Sequence, residues 1–304
     1  MSARLEPSPD RPSPDRPSPD RPCPDRLSPD QIRESLSGSD LRVRYQKERP
    51  LVLEGQSITL PQGKISVLIG PNGSGKSTLL KTLARQLVPE QGTVYLDGQD
   101  VSKLSGREFA LRLGILFQEN VAPNDLTVEE LTYHGRYPHR RLFESIRPED
   151  RQAVEQALEL CGAQALRQRP ISQISSGQKQ LAWIAMLIAQ SPDYLFLDEP
   201  TTYLDLAHQF DVMNLVRRLN RELGNTIVIS VHDLNLAARY ADHVFALREG
   251  RIVASGPPQE VLTVEILRAV FDVETRVIRD PAGELHCLPI GRASSLEDDG
   301  GGDS

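Results

Sequence analysis

The segment from Gly70 to Thr78, which reads GPNGSGKST, restricts the fold of this chain more than any other. It fits the pattern G-x-x-x-x-G-K-[ST], in which glycines allow a tight turn and successive backbone N–H groups face a phosphate. The apolar, β-branched run Ile65–Ile69 before it predicts a strand, and Ser77–Arg85 after it predicts a helix. Because the helix N-terminus adds a positive dipole end, the segment predicts a phosphate-binding loop.

This loop offers the side chains that a nucleotide with Mg²⁺ requires. Lys76 can reach the β and γ phosphates, and Ser77 can supply a hydroxyl to the metal. A chance glycine-rich turn is the alternative, and the flanking strand and helix argue against it. The predicted ATP-binding residues of the loop are Gly70, Pro71, Asn72, Gly73, Ser74, Gly75, Lys76, Ser77 and Thr78.

A second motif places two carboxylates at the end of an apolar strand. The run Tyr194–Leu197 leads directly into Asp198, Glu199 and Pro200. In sheets of this kind, ligands bind at the carboxyl edge, so Asp198 suits Mg²⁺ and Glu199 suits the orientation of an attacking water. Read alone, acids and proline after a strand could equally open a helix. The phosphate loop upstream favours catalysis.

The rest of the pattern alternates short apolar strands with helices, which predicts an α/β fold with a mostly parallel sheet. A polar, helical segment from about residue 120 to 176 shows no convincing strand and predicts a helical subdomain inserted between two sheet strands. The other predicted strands are Ile115–Phe117, Thr226–Val231 and Val244–Leu247, and the other predicted helices are Arg151–Leu160, Gln178–Ala189 and Leu206–Leu223.

Composition argues against several classes of protein. The net charge is −7 and the pI about 5.5, so no nucleic-acid partner is expected. The longest apolar run, near Leu181–Ala189, is far shorter than the ~20 residues of a membrane span, and no signal peptide is evident, so a cytosolic location is expected. The three cysteines (Cys23, Cys161 and Cys287) have no paired spacing, which predicts reduced thiols.

The two ends of the chain differ from its middle. Residues 7–31 repeat a five-residue unit, mostly PSPDR, with almost nothing apolar to bury. We therefore predict a disordered tail over residues 1–38, either a tether or adhesive segment or a dispensable extension. The ATPase domain is predicted over residues 39–275, and an extension with a mobile acidic tail over residues 276–304.

A third motif, Ile174-Ser175-Ser176-Gly177-Gln178, lies between the helical segment and the acidic strand. It resembles the signature loop of ABC ATPases, which usually reads Leu-Ser-Gly-Gly-Gln. A serine- and glycine-rich pentapeptide is weak alone, but in order with the other two motifs it is very specific. Ser176 departs from the family's first signature glycine, and a serine would be strained there if the position needs a positive φ.

The resemblance covers about residues 41–270 and implies further roles. Gln118 resembles the Q-loop glutamine that contacts Mg²⁺ and the attacking water. The segment Thr202–Asp205 resembles the D-loop. His232 resembles the switch histidine that contacts the γ-phosphate. Tyr45 resembles the A-loop aromatic that stacks on adenine, although it could simply pack on the sheet. The implied catalytic residues are Lys76, Gln118, Glu199 and His232, and the implied Mg²⁺ ligands are Ser77, Gln118 and Asp198.

The resemblance also implies a head-to-tail dimer of two copies of the chain. In such dimers the signature loop of one subunit closes over the ATP held by the other. Ser175 offers a hydroxyl and Gly177 allows close backbone approach, and the following helix points its positive end at the same anion. We therefore expect Ser175, Ser176, Gly177 and Gln178 to act on the partner's ATP, in a dimer that opens after hydrolysis.

Three stretches resemble the ATPases of ferric-siderophore, heme and cobalamin importers, and ferric-siderophore ATPases match them best: Gly135–His139, Leu181–Met186 and Pro200–Gln209. The implied partners are two integral membrane permease subunits and, indirectly, an extracytoplasmic substrate-binding protein. The implied location is the cytoplasmic face of the inner membrane. The stretch Tyr133–Phe143 is either a permease docking surface or a solvated helical face. A heme or cobalamin importer, a non-transport soluble ABC ATPase and a regulatory module without turnover remain alternatives.

Overall fold

The computed structural model describes residues 35–46, 48–123, 125–141 and 144–293. The predictions for the repeats and for the acidic end therefore concern residues outside the described part. The strands are β1 (Leu36–Val43), β2 (Leu53–Thr59), β3 (Ile65–Ile69), β4 (Gln91–Leu96), β5 (Gln99–Asp100), β6 (Leu113–Leu116), β7 (Tyr194–Asp198), β8 (Thr226–Ser230), β9 (His243–Arg248), β10 (Arg251–Gly256), β11 (Val273–Arg279) and β12 (Leu285–Arg292). The α-helices are α1 (Lys76–Leu83), α2 (Gly106–Arg112), α3 (Val128–His134), α4 (Pro148–Leu160), α5 (Ser176–Ala189), α6 (Leu206–Leu223), α7 (Leu234–Tyr240), α8 (Pro258–Val261) and α9 (Val264–Phe271).

A six-stranded sheet in the order β10-β9-β3-β8-β7-β6 forms the centre of the fold. Its strand pairs are parallel except for β9 with β10. Strands β3, β7 and β8 are buried along their whole length, as expected when layers cover both faces of a parallel sheet. Along β3, Val67 faces one hydrophobic core and Leu68 the other, since side chains alternate across a strand.

A smaller antiparallel sheet in the order β2-β1-β4-β5 covers one of these cores together with α1. The predicted tail reached residue 38, but β1 begins at Leu36, whose side chain is fully buried in this core. The predicted strand Ile115–Phe117 is also displaced. It runs from Leu113 to Leu116, because Leu113 and Leu116 pair in register with Tyr194 and Leu197 of β7.

The segment between β6 and β7 carries α3, α4 and α5, which pack on one another over the other core. The helical layer thus continues to Ala189, beyond the predicted limit of residue 176. After α9 the chain forms the hairpin β11–β12, so the predicted boundary between residues 275 and 276 falls inside β11. Within the described residues, no helix is both long and apolar enough to cross a membrane.

Candidate functional site: a nucleotide site at the carboxyl edge of the sheet

The predicted phosphate loop connects β3 to α1. Gly70 has a φ of 150°, and a Cβ atom there would stand 2.2 Å from the carbonyl oxygen of Leu247. Gly75 has a φ of 101° and is the N-cap of α1, and it has no side chain to accept a hydrogen bond from the first N–H groups of the helix. The glycines are therefore required by the backbone, and the first N–H groups of α1 are available to an anion.

Lys76 lies inside the loop and is only 5% exposed. Its ammonium donates to the carbonyl oxygens of Gly70 at 2.8 Å and Pro71 at 3.2 Å. Burial lowers the pKa of Lys76, because it disfavours the charged form, while the negative charges of Glu199 and Asp198 oppose this shift. The predicted loop lysine and the predicted acidic pair therefore belong to one electrostatic site.

Asp198, the last residue of β7, is joined to the phosphate loop by hydrogen bonds. The hydroxyl of Ser77 donates to Asp198 Oδ1 at 3.0 Å, and the hydroxyl of Ser230, at the end of β8, donates to the same oxygen at 2.7 Å. Asp198 is 3% exposed and Ser230 fully buried. Two of the three predicted Mg²⁺ ligands, Ser77 and Asp198, come from different motifs and are thus in direct contact.

Glu199 contacts two of the other predicted catalytic side chains, those of Gln118 and His232. Gln118 donates from Nε2 to Glu199 Oε2 at 2.9 Å, and Thr202 donates its hydroxyl to the same oxygen at 3.1 Å. The Nε2 atom of His232 lies 2.6 Å from Glu199 Oε1. Glu199 has a φ of 50°, a conformation that is uncommon for residues other than glycine and that recurs at functional sites.

Tyr45 follows β1 and lies in the connection to β2. Its hydroxyl is 3.1 Å from Thr78 Oγ1, and the residue is 53% exposed. It borders a cleft of about 530 Å³ beside the phosphate loop, where Lys81 Nζ lies 5.8 Å from the centre of the Phe117 ring. The ring is therefore next to the loop and open to solvent, which differs from a tyrosine packed on the sheet. The other residues lining the cleft include Ser77, Gln86, Leu87, Gln118, Glu119 and Asp198.

The signature segment lies apart from these contacts. Ser175 is the N-cap of α5 and bonds reciprocally with Gln178, with its hydroxyl accepting from the Gln178 N–H at 3.3 Å. Ser176 is the first residue of α5 and is not among the residues with positive φ. The serine at this position is therefore not strained. Asp205 caps α6 by accepting from the N–H of His208 at 2.9 Å, and so it bonds to its own helix.

Sequence reasoning missed two residues that hold the site together. Ser230 bridges the acidic pair, since its oxygen donates to Asp198 and accepts from the N–H of Glu199 at 2.8 Å. Thr202 anchors the side chain of Glu199. A signal for Ser230 existed: a polar residue in a fully buried strand requires a hydrogen-bond partner, and the acidic pair lies on the neighbouring strand.

A phosphate loop after β3, an acidic pair at the end of β7 and a histidine after β8 meet at the same edge of a parallel sheet, which defines a P-loop nucleotide-binding protein. The family model described as ABC transporter matches residues 53–202. The ferric enterobactin transport ATP-binding protein FepC of Escherichia coli (strain K12) is 44% identical over 260 residues, covering 85% of this chain and 95% of that protein. The chain belongs to the family of ABC transporter ATP-binding proteins and is an ABC-type ATPase.

Other relatives agree with this membership. The iron(3+)-hydroxamate import ATP-binding protein FhuC of Bacillus subtilis (strain 168) is 44% identical over 247 residues, covering 81% of this chain and 91% of that protein. A solved chain of a metal-chelate type ABC transporter in an inward-facing conformation has a TM-score of 0.74 at 28% identity, over 86% of this chain and 99% of that one. The dimeric cassette MJ0796 has a TM-score of 0.65 at 25% identity, over 73% of this chain and 98% of that one.

Proposed function

We propose that this chain powers an importer of iron(III)-siderophores by hydrolysing ATP. The hydrolytic half of the proposal rests on one observation, the contact of the phosphate-loop residue Ser77 with Asp198 next to a Glu199 held by three side chains. The cargo is supported by the relatives, whose names specify ferric enterobactin, iron(3+)-hydroxamate and achromobactin. Cargo would pass through the permease, so this chain selects it only by the permease to which it binds.

The residues present fit ATP with Mg²⁺. Ser77 Oγ and Asp198 Oδ1 are oxygen donors 3.0 Å apart at the start of α1, the donor type that Mg²⁺ prefers. We propose that these two atoms would hold the ion, together with the side-chain amide oxygen of Gln118. When bound, Mg²⁺ would neutralise phosphate charge as the bond to the γ-phosphate breaks.

In this proposal each remaining residue has one task. Lys76 moves from the loop carbonyls to the β and γ phosphates, and the loop N–H groups hold the phosphate oxygens. Glu199 polarises the attacking water. His232, whose Nε2 atom lies 2.6 Å from Glu199 Oε1, orients that carboxylate and contacts the γ-phosphate. Tyr45 stacks on adenine over the cleft beside Thr78. Orientation and charge neutralisation supply most of the rate, because phosphoryl transfer needs little covalent help.

We propose that two copies of the chain assemble head to tail. The signature residues Ser175, Ser176, Gly177 and Gln178 would then bind the γ-phosphate held by the partner copy, and Asp205 would lie at the same interface. The N-terminus of α5 carries a positive dipole end, which suits this task. The similar cassette MJ0796 is dimeric, which supports the arrangement.

The further partners in this proposal are two membrane permease subunits and, indirectly, an extracytoplasmic substrate-binding protein, with the chain on the cytoplasmic face of the inner membrane. The stretch Tyr133–Phe143 is the proposed docking surface, of which residues 142 and 143 lie outside the described residues. Tyr137 there is 62% exposed and stacks on His134 with a centroid distance of 5.2 Å. An exposed aromatic pair is typical of a contact surface.

Co-purification from the native host tests the proposal. The tagged chain should recover a polytopic permease, identified by mass spectrometry, and deletion of the gene should abolish ferric-siderophore uptake. Normal siderophore uptake with loss of heme or cobalamin uptake would reassign the cargo. Recovery of soluble partners alone would remove the transport role. A Lys76→Ala variant that co-purifies with the permease but does not restore uptake would show that nucleotide binding drives the transport.

A further inference from the structure

The signature segment and the D-loop, which the proposed mechanism places together at the partner's nucleotide, are linked within this chain by His208. On one side, Asp205 Oδ1 accepts from the His208 backbone N–H at 2.9 Å and from its ring Nδ1 at 2.8 Å. These bonds from His208 hold the pKa of Asp205 below its usual value, so this carboxylate only accepts. Nδ1 therefore donates to Asp205, and this bond orients the ring.

On the other side, the same ring packs against Gly177 of the signature segment. A Cβ atom at position 177 would stand 2.2 Å from His208 Cδ2, 2.6 Å from Cγ and 2.9 Å from Nε2. Real Cβ atoms do not approach neighbours so closely, so the ring fills the space that any other residue at position 177 would need. The glycine is therefore explained by the fold of a single chain, before any partner approaches.

This contact lies where α5 and α6 begin. Further along, a groove of about 390 Å³ lies between the two helices, bordered by Leu181 of α5 and by Asp211 and Leu215 of α6. A ring that bonds to a carboxylate at one edge and packs against a glycine backbone at the other is therefore a direct contact between the two helix starts.

We propose that His208 is a positioning residue that locks the signature segment to the D-loop, so that both approach the partner's nucleotide as one rigid unit. The inference rests on the proposed head-to-tail dimer. In addition, His208 holds the signature segment and the D-loop rigid relative to each other. This rigidity sets how readily the nucleotide site formed by the two copies closes. Without the ring, each loop would have to be ordered separately when the dimer forms, which adds an entropic cost to closure but leaves nucleotide binding by the phosphate loop unchanged.

Single variants of the full chain give the first test. For His208→Ala we expect kcat to fall about tenfold, and the Hill coefficient for ATP to fall from about 2 towards 1. The dissociation constant of ATP for the monomer should stay within about twofold, since the phosphate loop is untouched. His208→Phe keeps a ring against Gly177 but loses the bond to Asp205, and it should behave like His208→Ala if both contacts are needed.

A double variant tests the steric part directly. Gly177→Ala should lower both the melting temperature and kcat, because its methyl group meets the ring. Combining it with His208→Ala should restore the melting temperature and bring kcat to the level of His208→Ala alone. The matched control is Gly177→Ala with His208→Phe, in which the ring remains and no recovery is expected.

Two results would overturn the inference: wild-type kcat and Hill coefficient in His208→Ala, or no recovery of the melting temperature in the double variant. The second would mean that something other than this ring excludes a side chain at position 177. Failure of the proposed function looks different. In that case the wild-type chain would show no ATP turnover sensitive to Lys76→Ala, while the melting temperatures would still report on the contact between ring and glycine.

Discussion

Replacing Ser230 by alanine should lower both the free energy of unfolding of this ATPase and its affinity for Mg²⁺. The Ser230 hydroxyl is buried between two strand ends, where it donates to Asp198 Oδ1 at 2.7 Å and accepts from the Glu199 N–H at 2.8 Å. No motif includes this residue, yet it touches both members of the acidic pair. The substitution removes one oxygen atom and leaves the packing of β8 otherwise intact.

The magnitude follows from the two bonds. A hydrogen bond to a charged carboxylate contributes about 1.5–3 kcal/mol, and a partly buried N–H left without an acceptor costs about 1 kcal/mol or more. Because both bonds share one oxygen, their losses are coupled and do not simply add. We expect the free energy of unfolding to fall by about 2–3 kcal/mol. We also expect the affinity for Mg²⁺ to fall about 10- to 100-fold, so that a higher Mg²⁺ concentration is needed for half-maximal rate, as is usual when a residue supporting a metal ligand is removed.

Urea unfolding and steady-state ATPase assays at varied Mg²⁺ would measure these two effects in the purified full chain. Ser230→Thr is the matched control, because it keeps a hydroxyl on the Cβ atom and threonine is favoured in strands. It should retain most of the activity and of the Mg²⁺ affinity. If Ser230→Ala shows the wild-type kcat and the wild-type Mg²⁺ concentration for half-maximal rate, Ser230 does not orient Asp198, and the reasoning is wrong.

Four further predictions can be checked with the same assays. Glu199→Gln should bind ATP normally, lose at least about 100-fold in hydrolysis and accumulate an ATP-bound dimer on size exclusion; near-normal turnover would point to another carboxylate. Gly70→Ala should lose about 1–3 kcal/mol of stability, measured by urea unfolding, because its methyl group meets a backbone carbonyl. Asn235→Ala removes both bonds to the Cys287 backbone, so the Cys287 thiol, whose pKa burial raises to about 11, should react faster with iodoacetamide at pH 8 than in the wild type, and equal rates would contradict this. Removal of residues 1–31 should leave the ATPase rate unchanged, and a large loss would show that the repeats support the fold.

The long and strongly bounded elements could be predicted from sequence. Ile65–Ile69 and Leu206–Leu223 agree with β3 and α6 at both ends, because a glycine or a helix-capping residue stands at their borders. The hairpin β11–β12 was missed because many residues of its strands are exposed or half exposed, although the segment Asp280-Pro281-Ala282-Gly283 between the strands carries a turn signal. Helices α2 and α3 were missed as well, although the capping boxes Ser105 to Glu108 and Thr127 to Glu130 mark both N-termini.

Most of the candidate site could be predicted because its residues stand in short motifs at strand ends. Parallel strands bring their carboxyl ends to one edge, so the order of motifs in sequence becomes proximity in space. This is why Ser77, Asp198 and His232 could be placed together. Ser230 and His208 were not predicted in this way, because neither stands in a motif and each makes a contact with a residue that is distant in sequence, Asp198 and Gly177 respectively.

The signature serine shows what a family pattern leaves open. Ser176 raised the question of whether this chain can turn over at all, since a positive φ would strain it. In the fold it is the first residue of α5, where helical dihedral angles suit serine, and Ser175 before it caps the helix. The residue that must be glycine in this segment is its neighbour Gly177, because the His208 ring lies against it. The departure from the family pattern therefore falls at the tolerant position of the pair, and the geometry gives no reason to expect loss of turnover.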